Sequence, residues 1–355
     1  MQELPDVSIQ LLQQLIAIPS FSREEADTAA ILADFFAQRN ILANRKDNNV
    51  WAKNLYYDIN KPTLLLNSHH DTVKPVEGWK QHPFHAKISE EKLYGLGSND
   101  AGGALVSLIA TFLHFYKREN IPFNILLAAT AEEEISGANG VESVLPEFGK
   151  ICAGIVGEPT QLRMAVAEKG LLVIDAEAKG KAGHAAREEG ENAIYKALSD
   201  IQWIQNHAFE KQSDLLGPVK MTVTQIHAGT QHNVVPDVCK FVLDVRTNEC
   251  YSNREVFEVV QQHLHSDLKA RSFRLNSSKI ELTHPLVHAG LTLGLECFGS
   301  PTLSDQALMP FPTLKMGPGD SARSHTADEF IELKEIEKGI KTYIALLEIL
   351  SKQGL

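Results

Sequence analysis

Thr63-Leu64-Leu65-Leu66-Asn67-Ser68-His69-His70-Asp71-Thr72-Val73 limits the architecture of this chain more than any other stretch. Its apolar run is too short for a helix and reads as a buried β-strand. The run opens directly onto His-His-Asp, and in an open α/β sheet ligands gather at the carboxyl ends of strands. Side chains alternate along extended backbone, so His69 and Asp71 face the same way. An imidazole and a carboxylate placed like this can hold a metal. The same tripeptide also fits a core histidine followed by an Asp that caps the next turn.

At 355 residues the chain exceeds one ordinary core, which predicts two domains. The net charge of −11, with no basic stripe, argues against a nucleic-acid partner. No segment approaches the roughly 20 apolar residues of a membrane span. Met1 to Asp6 has neither the basic nor the apolar region of a signal peptide. Cys152, Cys239, Cys250 and Cys297 are scattered and form no CxxC pair. Together these features predict a cytoplasmic protein with reduced thiols.

Helical spacing runs from Val7 to Ile18, and a second helix is expected to about Gln38, with Ser22 as its N-cap ahead of Glu24-Glu25. Val50–Tyr56 and Thr63–Asn67 read as strands, and Val73 to Lys92 as loop because Pro75, Gly78 and Pro83 interrupt it. A glycine-rich stretch, Gly95 to Gly103, leads into an apolar helix to about Tyr116. Phe123–Thr130 is a buried strand ending in Glu132-Glu133-Glu134, and Ile151–Gly157 another ending in Glu158-Pro159. Three apolar strands that end in carboxylate or imidazole, with helices between, describe an α/β sheet with its site at one edge.

After Lys169-Gly170 the pattern changes to strand, helix, two alternating strands and a helix over Arg254–Leu268. This predicts an inserted α+β domain with an antiparallel sheet over residues 169–279. Helix and strand patterns then resume, so residues 1–168 and 280–355 form one discontinuous domain with a central, mostly parallel sheet.

Collected at strand ends and loop starts are His69, Asp71, Asp100, Glu133, Glu134, Glu158 and, late in the chain, His325. Imidazole nitrogen and carboxylate oxygen are the ligands of catalytic zinc, and the inventory suffices for two metals sharing one carboxylate. Singly, each residue has a plainer reading. Asp100 fits a helix N-cap, the triple Glu a solvated helix start, Glu158 a turn residue and His325 a surface histidine. Their joint placement favours the metal.

These residues and their neighbours resemble a family. His69-His70-Asp71-Thr72-Val73, Gly97 to Gly103, Glu132-Glu133-Glu134, Gly157-Glu158-Pro159 and Ser324-His325-Thr326 look like the zinc-dependent deacylases and exopeptidases. That family includes acetylornithine deacetylase, succinyl-diaminopimelate desuccinylase, aminoacylase and carboxypeptidase G. The resemblance spans essentially the whole chain, with five motifs in order. It implies a zinc-exopeptidase-like catalytic domain and a ferredoxin-like dimerisation and lid domain. It further implies two divalent metal ions, zinc foremost, with cobalt or manganese as alternatives. Asp100 would bridge them, His69 and Glu158 would complete one site, and Glu134 with His325 the other. Asp71 would orient His69, and Glu133 would be the general base. The family usually has Asp-Glu-Glu where this chain has three glutamates, so Glu132 stays open as the base.

In the inserted segment, Gly180 to Ala186 resembles the family motif whose histidine, here His184, stabilises the oxyanion across a homodimer. Asn233 and Arg246 fall where the family places substrate contacts, and an Arg fork suits a carboxylate. Gly317 and Gly319 belong to a loop whose amides could take the substrate α-carboxylate; Asp320 or Glu329 could instead meet a positive substrate group. The chain is expected to be an amidohydrolase acting on a small N-acyl amino acid. Within the family it looks most like acetylornithine deacetylase, which implies N-acetylornithine and arginine synthesis. A second carboxylate on a succinyl substrate would need a cation such as Arg187 or Arg323. Succinyl-diaminopimelate, N-acetylcitrulline and N-succinylornithine stay open as substrates, as do a dipeptidase or aminoacylase activity and a non-catalytic dimeric binding module.

Overall fold

A computed structural model describes residues 3–355 and divides the chain into two compact units. One runs to Val166 and resumes over Ile280–Phe298 and Ser304–Leu355; the other comprises Ala167–Lys279 with Gly299–Leu303. The architecture is α/β, with a mixed, mostly parallel central sheet in the first unit.

The strands that position the site lie in the order Ala43–Lys46, Asn49–Lys53, Asn124–Thr130, Thr63–His69, Ala153–Val156 and Thr313–Lys315. The last four are mutually parallel, whereas Asn49–Lys53 runs antiparallel to Asn124–Thr130. Every residue of Thr63–His69 and of Asn124–Thr130 is buried. Such two-faced burial is why these strands read as continuous apolar runs. On one face, Leu65, Leu126 and Val156 pack with Val141, Val144 and Phe148 of the helix Val141–Phe148. The helix Gly103–Phe115 contacts the same two central strands, and Glu3–Ile16 and Leu333–Gln353 pack onto it.

Three local readings are corrected. The second helix begins at Ala26, and Ser22 does not cap it; its hydroxyl donates to Asp71 Oδ2 at 2.7 Å. The stretch between Val73 and Lys92 is not all loop, because Lys87–Ser89 pairs with Lys92–Tyr94. Asp100 is not a helix N-cap: Gly102 precedes the helix, and Asp100 has φ −111° and ψ 101°.

The second unit is a four-stranded antiparallel sheet, ordered Lys220–Ala228, Val238–Arg246, Leu172–Lys179 and Asp267–Ala270. With the helices Ala193–Asn206 and Asn253–His263 the chain order is β-α-β-β-α-β, the split βαβ arrangement. Both helices start as local chemistry dictates: Asn192 accepts from the Ile194 N–H, and Ser252 with Glu255 forms a capping box. The expected single helix over Arg254–Leu268 stops at His263 instead. Asp200, buried on the neighbouring helix, accepts the N–H groups of His265 and Ser266 at 3.0 and 2.9 Å. That turns the chain into a fourth strand, a tertiary cause invisible to helical periodicity.

Candidate active site

At the carboxyl ends of the parallel strands the first unit brings six separated residues together. His69 Nε2 lies 3.4 Å from Asp100 Oδ1, 3.7 Å from Glu158 Oε1 and 3.8 Å from Glu133 Oε2. His325 Nε2 lies 3.0 Å from Glu134 Oε2 and 3.6 Å from Asp100 Oδ2. Asp100 thus sits between the two imidazoles. Its following peptide bond, to Ala101, is cis.

The neighbours of these groups explain how they are held. His69 Nδ1 lies 3.0 Å from the Asp71 carbonyl and 3.4 Å from Asp71 Oδ1, which leaves Nε2 turned to the cluster. The Asp71 carboxylate also accepts the N–H groups of Glu133 at 3.0 Å and Glu134 at 3.2 Å, besides the Ser22 hydroxyl. One buried carboxylate therefore aims both the imidazole and the acidic turn. Glu25, equally buried, accepts the Glu132 N–H at 3.1 Å and the Asn48 amide at 2.8 Å. Glu132 itself points away from the cluster: its carboxylate is bonded to the Asn139 side chain at 3.0 Å. Its left-handed backbone, φ 54°, is what separates it from Glu133. His70 is structural as well, with Nδ1 2.9 Å from the Thr28 hydroxyl and Nε2 2.8 Å from the Asn48 carbonyl. Burial pushes its pKa down to about 4, so it is neutral and donates through Nε2.

The electrostatics describe an excess of crowded negative charge. Burial, then the Asp100 and Glu134 charges, push Glu158 up to about 8 against the opposing pull of His69 and Lys315. Glu133 is driven well above the usual carboxylate range by burial and by Glu158, Asp305 and Glu134, against the opposing pull of His69. Burial and Asp100 also raise Glu134, opposed by His325 and His69. His69 goes the other way from what its burial alone would do: Glu133, Asp100, Asp71 and Glu158 together lift it well above the ordinary imidazole range. The hydrogen bond that His325 donates to the Glu134 carboxylate lifts the imidazole to about 9 against partial burial.

A divalent cation relieves this strain directly, by neutralising carboxylates that otherwise repel one another. Two groups have ligand atoms all within 4.8 Å of one another: His69, Asp100 and Glu134, and His69, Glu133 and Glu158. Among the described residues, His69 Nε2 and Glu158 Oε1 are buried with no hydrogen-bond partner. Orphaned buried donors and acceptors are rare unless something else satisfies them. Imidazole and carboxylate atoms aimed at one point fit a zinc-type site.

The remaining sequence expectations fall as follows. Gly317 and Gly319 are required by packing: a Cβ on Gly317 would lie 2.5 Å from the Glu158 carbonyl, and one on Gly319 2.5 Å from Asn99 Oδ1. Gly319 also has φ +91°, a region that suits glycine. The Gly317 N–H donates to the Thr160 hydroxyl at 3.1 Å and the Asp320 N–H to Asn99 at 2.9 Å, so those two amides have internal partners. Arg323 is bidentate on Glu335, at 2.7 and 3.2 Å, and lies over the Phe330 ring. In the second unit, exposed His184 pairs with Val234 in a short ladder, and the Ala185 N–H donates to the Asn233 carbonyl at 2.9 Å. Arg246 forks onto Asp244, two residues back on the same strand face, at 2.9 and 3.1 Å. Sequence reading missed Ser22 and Glu25 as supports of the site, and nothing local to either residue marks it.

A metal-ready cluster at parallel strand ends, in a chain that also carries a split βαβ unit, defines a hydrolase of the metallopeptidase class. The chain belongs to peptidase family M20/M25/M40, whose model matches residues 65–349, and it is a hydrolase acting on amide bonds. It is 28% identical over 378 aligned positions to an acetylornithine deacetylase from Proteus mirabilis, covering 93% of each chain. It is 26% identical over 276 positions to a succinyl-diaminopimelate desuccinylase from Ruegeria sp., covering 72% of this chain and 69% of that protein. Its fold matches a dinuclear metal-binding M20 peptidase from Bacillus subtilis with a TM-score of 0.77 at 18% identity, covering 100% of both chains. An M20 metallo-carboxypeptidase from Sulfolobus solfataricus gives the same score and identity over 97% of this chain and 99% of that one. No helix among the described residues is long and apolar enough to cross a membrane.

Proposed function

We propose that this chain is a two-metal N-acyl-amino-acid deacylase that removes an acetyl group, with N-acetylornithine as its substrate. The observation that carries the reading is the convergence of His69, Asp100, Glu133, Glu134, Glu158 and His325 around one point. Asp100 would be shared between the metals, with His69 and Glu158 on one and Glu134 and His325 on the other; zinc suits this donor set. Once bound, the metal pair supplies Lewis acidity toward water and the amide carbonyl. Glu133 accepts a proton from the attacking water and returns it to the nitrogen of the leaving amine. Asp71 keeps the His69 ring and the Glu133 backbone in register during that transfer. Glu132, tied to Asn139, takes no part.

Of the two cations considered for a second substrate carboxylate, Arg323 is engaged by Glu335 while Arg187 is exposed, 3.9 Å from Glu189; the acetyl assignment rests on Arg323 and on the deacetylase relative. The names of the relatives support the substrate class. Asn233, Arg246 and the loop at Gly317 and Gly319 are proposed substrate contacts, and the second unit the element through which two copies pair. His184 is proposed to stabilise the oxyanion. A panel of N-acetylornithine, N-acetylcitrulline, N-succinylornithine, succinyl-diaminopimelate and dipeptides tests the reading on metal-loaded protein. Preference for N-acetylornithine is expected; a dipeptide turned over faster than every N-acyl amino acid would overturn it. Mixing His184→Ala with Glu133→Gln protein should restore activity if His184 acts on a partner copy.

A further inference from the structure

We infer that Glu329 and Asn99 are positioning residues of the metal centre, which clamp the loop carrying Asp100 to the loop carrying His325. The inference rests on the metal-hydrolase reading of the site. Glu329 is 2% exposed. Its Oε1 accepts the Asn99 N–H at 2.8 Å and the Asp100 N–H at 2.9 Å, and its Oε2 the Gly97 N–H at 3.1 Å. Burial and these three bonds leave no place for a positive substrate group, so the expected substrate contact of Glu329 is replaced by a structural one. Asn99, fully buried, returns the tie: its amide donates to the Asp320 carbonyl at 3.0 Å and the Ser324 hydroxyl at 3.4 Å, and its Oδ1 accepts the Asp320 N–H at 2.9 Å.

The arrangement is reciprocal. Glu329 follows His325 in the chain and holds the backbone of the Asp100 loop. Asn99 precedes Asp100 and holds the chain just ahead of His325. The bonds therefore bracket His325 on both sides and reach Asp100 at its own N–H. No regular structure does this work otherwise, because Asp100 lies in non-helical backbone and His325 at φ 58°. The Glu329 carboxyl meets all three N–H groups through its two oxygens, Oε1 taking two and Oε2 one. A glutamine in its place would turn an NH₂ toward at least one donor. Neither Glu329 nor Asn99 needs to touch a metal to set the spacing between its two ligands, 3.6 Å from His325 Nε2 to Asp100 Oδ2.

Groups that orient metal ligands typically cost about 10–100-fold in metal affinity when removed. The test is Glu329→Gln in the full chain, titrated with zinc against a competing chelator, with visible absorption spectra of the cobalt form alongside. The expected result is a wild type that binds two equivalents and a variant whose weaker equivalent needs about 10–100-fold more free zinc, with shifted cobalt bands. A variant that binds both equivalents like wild type, with an unchanged cobalt spectrum, overturns the clamp whatever happens to turnover or thermal stability. If Glu329→Gln does not fold, Asn99→Ala titrated the same way decides it by the same two outcomes. A wild type that takes up no stoichiometric metal overturns the metal reading itself, and the clamp with it.

Discussion

His69 and His325 reach the same site from opposite kinds of backbone. His69 ends a strand buried on both faces, is 1% exposed, and has Asp71 in contact with its Nδ1. His325 sits on a turn at φ 58° with its side chain 53% exposed and hydrogen-bonded to Glu134. The strand side inherits its order from the sheet, where parallel pairing sets Thr63–His69 between Asn124–Thr130 and Ala153–Val156. The loop side has no ladder and depends on buried side chains to hold backbone to backbone. Two metals sharing Asp100 would join a preformed half to one that must be clamped. Affinity and catalysis can therefore fail separately.

Four measurements test this contrast. The largest effect is expected at Glu133, on the strand side: Glu133→Gln should retain metal but lose on the order of 10²–10⁴-fold in kcat. Metal analysis beside steady-state kinetics checks it, and loss of metal along with rate would mean the residue is a ligand instead. Next comes Asp71→Asn, which disturbs the His69 ring and the Glu133 and Glu134 amides together. A fall of about 10–100-fold in metal affinity is expected, read by chelator competition.

A smaller effect concerns pH in the chelated protein. Glu158 has a folded pKa near 8 against an ordinary 4.5. Between those values the folded chain keeps a proton that the unfolded chain releases, so the Glu158 contribution falls as pH rises through that window, and His325, lifted to about 9, carries the fall on above it. The melting temperature of chelated protein should drop between about pH 4.5 and about pH 8, and added zinc should remove most of the slope. A flat profile without metal would mean that the carboxylates are less crowded than their geometry implies. Smallest is Glu132→Gln, which weakens the Asn139 contact and should cost about 1 kcal/mol of stability by denaturant unfolding. Its kcat should stay near wild type; a collapse there would make Glu132 the base.

Much of the site was legible because parallel strands announce themselves. Leu64-Leu65-Leu66 and the run before Glu132 have two buried faces, so apolar continuity marks the strand and the next polar residue marks its functional end. His69, Glu133, Glu134 and Glu158 follow from that logic. The supports were not legible. Ser22 reads as an N-cap, Glu25 as a first-turn acid and Glu329 as a substrate contact, since each pattern is common and local. Asp200 likewise ends a helix from another element.

The α/β arrangement, the inserted segment and the inventory of imidazole and carboxylate at strand ends were readable from the residues, because hydrophobic periodicity and residue chemistry are local properties. Folding set which of three consecutive glutamates faces His69, that Ser22 supports Asp71 and Glu25 the acidic turn, and that Glu329 ties the Asp100 loop. Those are contacts between residues tens to hundreds of positions apart, and a buried carboxylate chooses its N–H partners by where the folded backbone puts them.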